Sequence, residues 1–275
     1  MCQYGAQGDF ISAPLHGSFK YYGATMLELT SVLNGFSLIE FLLAASILFL
    51  AYLVRGITGF GSALVAVPLL LFILPFKTVI PLVVALDYIA AASHGVQQRQ
   101  AICWRDIFPL LPFTLAGIVT AIYLLNNIDV QMLLPILGSF IVIYAIYSLR
   151  PLHVHRQHSR AWAIPAASLG GLIGTLFATG GPFYVIYLKL RALDKLAFRS
   201  TIAIILLLDG GIRLVGFVFT GLYNLKLLLM MILALPIMMI SMYIGGHIHT
   251  NISQQNFQRV ISITLICSGL GLILK

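Results

Sequence analysis

Apolar residues arrive in long runs, separated by short polar connections, for most of the chain's 275 residues. The first run extends from Ser37 to Phe76 and is interrupted by Gly56-Ile57-Thr58-Gly59-Phe60-Gly61-Ser62, which predicts two helices rather than one. Single uninterrupted runs follow over Thr78–Gly95, Asp106–Leu125 and Val130–Leu149. After a polar stretch the same order returns. Trp162–Tyr187 is broken at Thr179-Gly180-Gly181-Pro182, and Ala197–Gly221, Leu225–Gly246 and Phe257–Leu274 complete the series. Runs of about 20 apolar residues match the hydrocarbon thickness crossed by a helix. The ~10-residue alternating segments of a transmembrane barrel are not found.

The pattern therefore predicts an all-α polytopic membrane protein of two repeats, each a glycine-broken pair plus three membrane helices, eight to ten segments in all. The breaks lie about 119 residues apart, from Gly61 to Gly180, and the Trp104 and Tyr223 connections keep that offset. The chain divides into a tail (1–36), a first repeat (37–149), a connector (150–161) and a second repeat (162–275). The tail has no basic segment followed by an apolar one and does not read as a signal peptide. It is a surface tail, or an upstream extension with Met26 as the initiator.

Composition agrees with this reading. Hydrophobic residues make up 60% and charged residues 9%, and mean hydropathy is +1.01. The net charge of +8 sits in the connections, where it encodes orientation rather than nucleic-acid binding. Connections holding Arg99 and Arg105, then Arg150, Arg156 and Arg160, then Lys189, Arg191, Lys195 and Arg199, are expected on the cytoplasmic side. Residues 126–129 and 221–224 carry no Lys or Arg and are expected outside. Both sets are satisfied when each broken pair returns to its own side. The halves are then inverted, with both termini outside, and Lys77, Lys226 and Lys275 also lie there. Cys2, Cys103 and Cys267 show no CxxC pattern and read as packing residues.

Residues 183–190 are too few to cross, since eight helical residues rise about 12 Å. The turn at Gly180-Gly181 is thus expected inside the membrane, where non-helical backbone survives only against protein or a wet cavity. Glycine supplies the dihedrals of such a turn, and Pro182 suits the first turn of the next helix. The same construction occurs at Gly59-Phe60-Gly61-Ser62, with Ser62 placed to cap the helix leading to Pro68. Two helix N-termini meeting from opposite sides make a midplane anion site of Gly59, Gly61, Ser62, Thr179, Gly180 and Gly181. The alternative is a glycine-lined packing contact, to which Gly170-x-x-x-Gly174 also belongs.

Ionisable residues inside spans mark pathways or partners. Asp209 and Arg213, four apart, share a helix face and either neutralise each other or divide the work, with Arg213 meeting substrate and Asp209 carrying a proton. Asp87 is the matching carboxylate of the first half, with His94 seven residues on. Arg55 precedes the first break and either snorkels to the surface or contacts the anion. The histidines His153, His155, His158, His247 and His249 gain no completing carboxylate or thiolate and read as solvated. No cofactor is called for, and no ATP-binding, dinucleotide, Ser-His-Asp or HExxH pattern is present. Tyr and Phe residues read mostly as lipid-facing or packing groups.

The motif Gly56-Ile57-Thr58-Gly59-Phe60-Gly61-Ser62-Ala63, followed by Pro68-Leu69-Leu70, resembles the first signature of the sulfite exporter TauE/SafE family. Gly170-Gly171-x-x-Gly174, Thr179-Gly180-Gly181-Pro182 and Tyr187-Leu188 resemble its counterpart. The resemblance spans about residues 37–274. Gly-Ser-Ala and Gly-Gly-Pro stand here where many members carry three glycines. It implies a bacterial inner-membrane permease for sulfite, organosulfonates or related small anions. Its expected partners are the lipid bilayer, the anion and protons as coupling ion. A cation or metal carrier using Asp87, Asp209 and the histidines, and a membrane-embedded enzyme, are the alternatives.

Overall fold

The structure is a computed structural model that describes residues 37–94, 101–148, 158–247 and 254–275. The tail expected at 1–36, Arg99, Arg150, Arg156, His153, His155, His249 and the side chain of His94 lie outside the described residues. All regular structure among the described residues is helical. The elements are α1 (Leu38–Thr58), α2 (Ser62–Leu70), α3 (Phe76–His94), α4 (Trp104–Ile107), α5 (Leu111–Asn127) and α6 (Val130–Ser148). A 3₁₀ turn at Arg160–Trp162 leads into α7 (Ala163–Phe177), followed by α8 (Gly181–Leu190), α9 (Lys195–Phe219), α10 (Leu225–His247) and α11 (Gln254–Ile273).

Among the described residues six stretches are long and apolar enough to cross a bilayer: Leu38–Thr58, Phe76–Ser93, Trp104–Asn127, Gln131–Ser148, Leu196–Phe219 and Leu225–His247. Phe76–Ser93 is 61% buried against 22–33% for the other five, so α3 is central and the rest turn one apolar face outward. Side chains such as Val119, Ile143 and Tyr243 on those outer faces are exposed, as a lipid-facing surface requires.

Both expected breaks are present, but the arms of each pair are unequal. α1 has 21 residues and α2 nine; α7 has 15 and α8 ten. The first arm of the first pair is long enough to cross by itself. The second arms, rising about 13–15 Å, are not.

Pairings in one half have counterparts in the other. α1 packs on α2 as α7 packs on α8, α1 on α10 as α7 on α5, and α3 on α10 as α9 on α5. The α3–α9 and α6–α11 contacts join equivalent helices of the two halves. Glycines set the close crossings. A Cβ on Gly56 would lie 2.7 Å from the Met242 carbonyl oxygen, one on Gly138 would lie 2.6 Å from that of Gly269, and one on Gly117 would lie 2.9 Å from the Leu172 nitrogen. Close backbone approach through small residues holds membrane helices together where no hydrophobic drive exists between them.

Basic residues from separate connections meet at one end. Asp106, 4% exposed, accepts from Arg160 Nε (2.9 Å) and Arg191 Nε (3.0 Å), and Arg191 also donates to the His158 carbonyl. This ties the start of α7 and the α8–α9 turn to α4. At the other end of α2 and α3, Lys275 Nζ donates to the Leu71 carbonyl (2.8 Å) and Tyr223 to the Pro81 carbonyl (3.1 Å).

Candidate functional site

The first break is held by its own side chains. Gly59 and Gly61 take φ of +86° and +93°, the left-handed region where a Cβ is strained. The Gly59 amide closes the last turn of α1 on the Arg55 carbonyl (2.6 Å), and Thr58 Oγ1 sits 2.8 Å from the Val54 and 2.6 Å from the Phe60 carbonyl oxygen. Ser62 does not cap α2, contrary to expectation. Gly61 occupies the cap position and Ser62 is the first helical residue. Its hydroxyl turns instead to Asp87 Oδ1 (2.7 Å) and receives Arg55 Nη1 (3.0 Å).

The second break is built differently. Ala178, not a glycine, takes the positive φ (+58°), whereas Gly180 is right-handed at −72°. Glycine at 180 answers a need for space. A Cβ there would run into the Gly170 carbonyl oxygen and lie 2.5 Å from Arg213 Nη2. A Cβ on Gly174 would fill the place of the Arg213 guanidinium, and one on Gly170 would lie 2.7 Å from the Tyr184 ring. The Gly170-x-x-x-Gly174 spacing is therefore a slot for two side chains, while Gly171 makes the helix contact, against Thr114 of α5.

The two breaks face one cavity of about 40 Å³, room for on the order of three waters. Gly61 lines it from the start of α2, and Thr179, Gly181 and Pro182 line it from the start of α8. Arg55, Asp87, Asp209 and Arg213 complete its polar wall; Phe60, Leu64, Val84, Tyr88 and Leu206 make it otherwise apolar. The first-turn N–H groups of α2 lack intrahelical acceptors and carry partial positive charge. At α8 Pro182 has no N–H and the Phe183 amide donates to the Gly180 carbonyl (3.2 Å), so Gly181 carries the first-turn N–H left to offer. Gly61 and Gly181 leave open space on the side where a Cβ would stand: nothing lies within 4 Å of the first, and only Leu206 Cδ2, at 4.0 Å, approaches the second. Thr179 Oγ1 and Arg213 Nε, both buried, have no protein partner.

Each half contributes an Asp–Arg–Tyr cluster. Asp87 Oδ1 accepts from Arg55 Nη1 (2.9 Å), Tyr52 (2.9 Å) and Ser62, and Arg55 Nη2 donates to the Asp87 carbonyl (3.1 Å). Asp209 pairs with Arg213 and accepts from Tyr184 (3.0 Å), whose hydroxyl lies 3.3 Å from Thr114 Oγ1. Arg213 also donates to the carbonyls of Gly174 (3.0 Å), in the last turn of α7, and Gly170 (3.3 Å), one turn earlier. The carboxylates sit on equivalent helices, α3 and α9, but the arginines and tyrosines do not. Arg55 and Tyr52 come from α1, Arg213 from α9 itself and Tyr184 from α8.

Of the residues singled out in the sequence, Gly61, Thr179, Gly181, Asp87, Asp209, Arg55 and Arg213 meet at the cavity. Arg55 is 5% exposed and paired, which removes the snorkelling alternative. Ser62 lies behind the wall, Gly59 lines a neighbouring cavity, and Gly180 packs against Arg213 and α7. Tyr52 and Tyr184 escaped sequence reading because both fall inside apolar runs. The one available signal was Tyr52 three residues before Arg55, on the same helix face. Among the described residues no group of three His, Cys, Asp or Glu side chains is placed to hold a metal ion.

A polytopic helical bundle with paired glycine turns around a buried polar cavity is the architecture of a multi-pass membrane protein. The chain matches the sulfite exporter TauE/SafE family over residues 44–272, and it belongs to that family. It is 26% identical over 193 residues to the probable inner membrane transporter protein TsaS of Comamonas testosteroni, covering 70% of this chain and 81% of that protein. No solved structure gives a significant match. The protein is a multi-pass inner-membrane transporter.

Proposed function

We propose that the chain is a secondary transporter for a small oxyanion, sulfite or an organosulfonate, bound in the cavity between the two breaks. One observation carries this reading: two short-helix N-termini and two arginines converge on a single buried space. Helix N-termini and guanidinium groups are the protein's usual means of holding oxyanions. Thr179 and Arg213 both line the cavity, and the Thr179 hydroxyl and Arg213 Nε, which have no protein partner, are further donors for the ligand. Gly61 and Gly181 let the anion approach the backbone, and Arg213 provides counter-charge.

Transport proceeds by alternating access, with the halves as inverted repeats rocking about the cavity. The exchangeable pattern of helix contacts supports this, as does the collection of Arg160 and Arg191 at one end. Asp87, which faces Tyr52 and Arg55, and Asp209, which faces Tyr184 and Arg213, are the groups that couple transport to protons. A cation carrier is disfavoured because the cavity-lining polar atoms left without a protein partner, Thr179 Oγ1 and Arg213 Nε, are donors rather than carboxylate oxygens.

The test is flux in proteoliposomes with radiolabelled sulfite, an arylsulfonate and a divalent metal ion in parallel. Sulfite or sulfonate flux, driven uphill by an imposed proton gradient, supports the reading. Metal flux without anion flux overturns it.

A further inference from the structure

The two arginines of the cavity are equally buried, 5% and 6% exposed, but their carboxylate partners are not. Arg213 is fixed: two α7 carbonyls and Asp209 hold its guanidinium in a slot cleared by Gly174 and Gly180. The Arg213 and Asp209 side chains are 6% and 3% exposed. Asp87, the partner of Arg55, is 24% exposed. Arg55 also lines a second cavity of about 20 Å³, with Gly59, Ala90, Ala91, Ala203 and Met242. Arg55 and Leu206 are the residues that border both cavities, so together they form the partition between them. Ala90 and Ala91 lie one turn beyond Asp87, toward the end of α3 that leads to Arg99, and Ala203 lies on the Lys195–Arg199 side of Asp209. The second cavity therefore stands between the central one and the Arg-rich connections.

We propose that Arg55 and Asp87 are the exchangeable half of the site and the inner gate of the pathway. The proposal rests on the central cavity being the anion site. An oxyanion arriving from the Arg-rich side enters the smaller cavity and displaces the Asp87 carboxylate from Arg55. It then passes Leu206 into the centre, while Arg213 and Asp209 stay locked as a neutral pair whose Arg213 Nε remains a donor without a protein partner. Asp87 acts as a tethered anion occupying the guanidinium face that a substrate oxyanion needs. Once displaced, its carboxylate keeps two donors, the hydroxyls of Tyr52 (2.9 Å) and Ser62 (2.7 Å), both on Oδ1. A competitor held in place this way keeps affinity moderate and lets the anion leave again. Asp87 is then a positioning residue and Arg55 the residue in contact with substrate.

Sulfite uptake by proteoliposomes separates the two roles. Asp87→Asn removes the tethered competitor, so KM falls about tenfold, the scale of one charge-assisted hydrogen bond, and kcat falls with it because release slows. Asp209→Asn strands Arg213 in its slot and lowers both melting temperature and flux, with KM moving less than about twofold on the same scale. An Asp87→Asn KM equal to wild type, or the KM shift appearing in Asp209→Asn instead, overturns the assignment. A second measurement does not depend on those variants folding well. Ala203→Cys, in a chain with Cys2, Cys103 and Cys267 replaced by serine, is treated with a membrane-impermeant thiosulfonate in vesicles of each orientation. Reaction from the Arg-rich side, slowed by sulfite, is expected. Reaction from the opposite side alone, or at a rate indifferent to sulfite, overturns the route. Absence of wild-type sulfite and sulfonate flux would instead overturn the anion-site reading, independently of the contrast between the two aspartates.

Discussion

Replacing Gly180 by alanine isolates the part this glycine plays. Its backbone is right-handed (φ −72°), so alanine is conformationally acceptable and any cost is steric. The new Cβ would stand 2.5 Å from Arg213 Nη2 and against the Gly170 carbonyl oxygen, and real Cβ atoms essentially never come within 3.0 Å of another group. The α7–α8 turn must therefore open by about half an ångström or more. Overpacking of this kind costs about 1–3 kcal/mol. The Arg213 Nη2 bond to Gly170, already 3.3 Å, does not survive the shift. A hydrogen bond from a charged donor contributes a further ~1.5–3 kcal/mol. A total of about 2.5–6 kcal/mol corresponds to a fall of roughly 5–24 °C in melting temperature for a chain of this size. The assay is thermal unfolding of the detergent-solubilised protein, with Gly181→Ala as control, because the nearest atom to a Cβ there is 4.0 Å away. A Gly180→Ala melting temperature within about 2 °C of wild type, or an equal loss in Gly181→Ala, would refute the slot for Arg213.

Two further changes test neighbouring features. Ala178→Gly relieves a left-handed residue (φ +58°) and is expected to raise stability by up to about 1 kcal/mol, net of the added unfolded-state freedom, measured by the same melting assay. Asp106→Asn leaves Arg191, whose side chain is 11% exposed, without its counter-ion. A loss below the ~3–5 kcal/mol of a fully buried pair is expected, because Arg160 is 49% exposed and rehydrates. Limited proteolysis at the 150–161 connector should then quicken.

The spans and both breaks were legible because apolar run length and interrupting glycines are local signals. So was the Asp209–Arg213 pair, four residues apart on one helix. Arg55 and Asp87, 32 residues apart on different helices, are each visible in the sequence, but their pairing is set by how α1 and α3 both pack against α2 and α10, and no spacing encodes it. Glycine's role at the second break was misread for a physical reason. Sequence shows that a side chain is missing but not whether the backbone needs freedom or a neighbour needs room. Here Ala178 takes the strained angle and Gly180 yields room to a guanidinium. Ser62 looked like a cap because serine before an apolar run usually is one, yet the carboxylate of α3 claims its hydroxyl. Tyr52 and Tyr184 were invisible for a related reason: an aromatic in an apolar run packs against lipid or protein unless a buried carboxylate reaches it.

The anion site between the breaks is tested most directly by sulfite flux through Gly181→Leu in proteoliposomes. Gly181 opens onto the cavity, and a leucine side chain there would project past Leu206 into the space lined by Arg55, Thr179 and Arg213. Flux should fall to the level of empty liposomes, with a melting temperature lowered by no more than roughly 2–12 °C, the scale of ~1–3 kcal/mol of overpacking, and the purified protein still monodisperse. Undiminished sulfite flux through a folded Gly181→Leu protein would contradict the site.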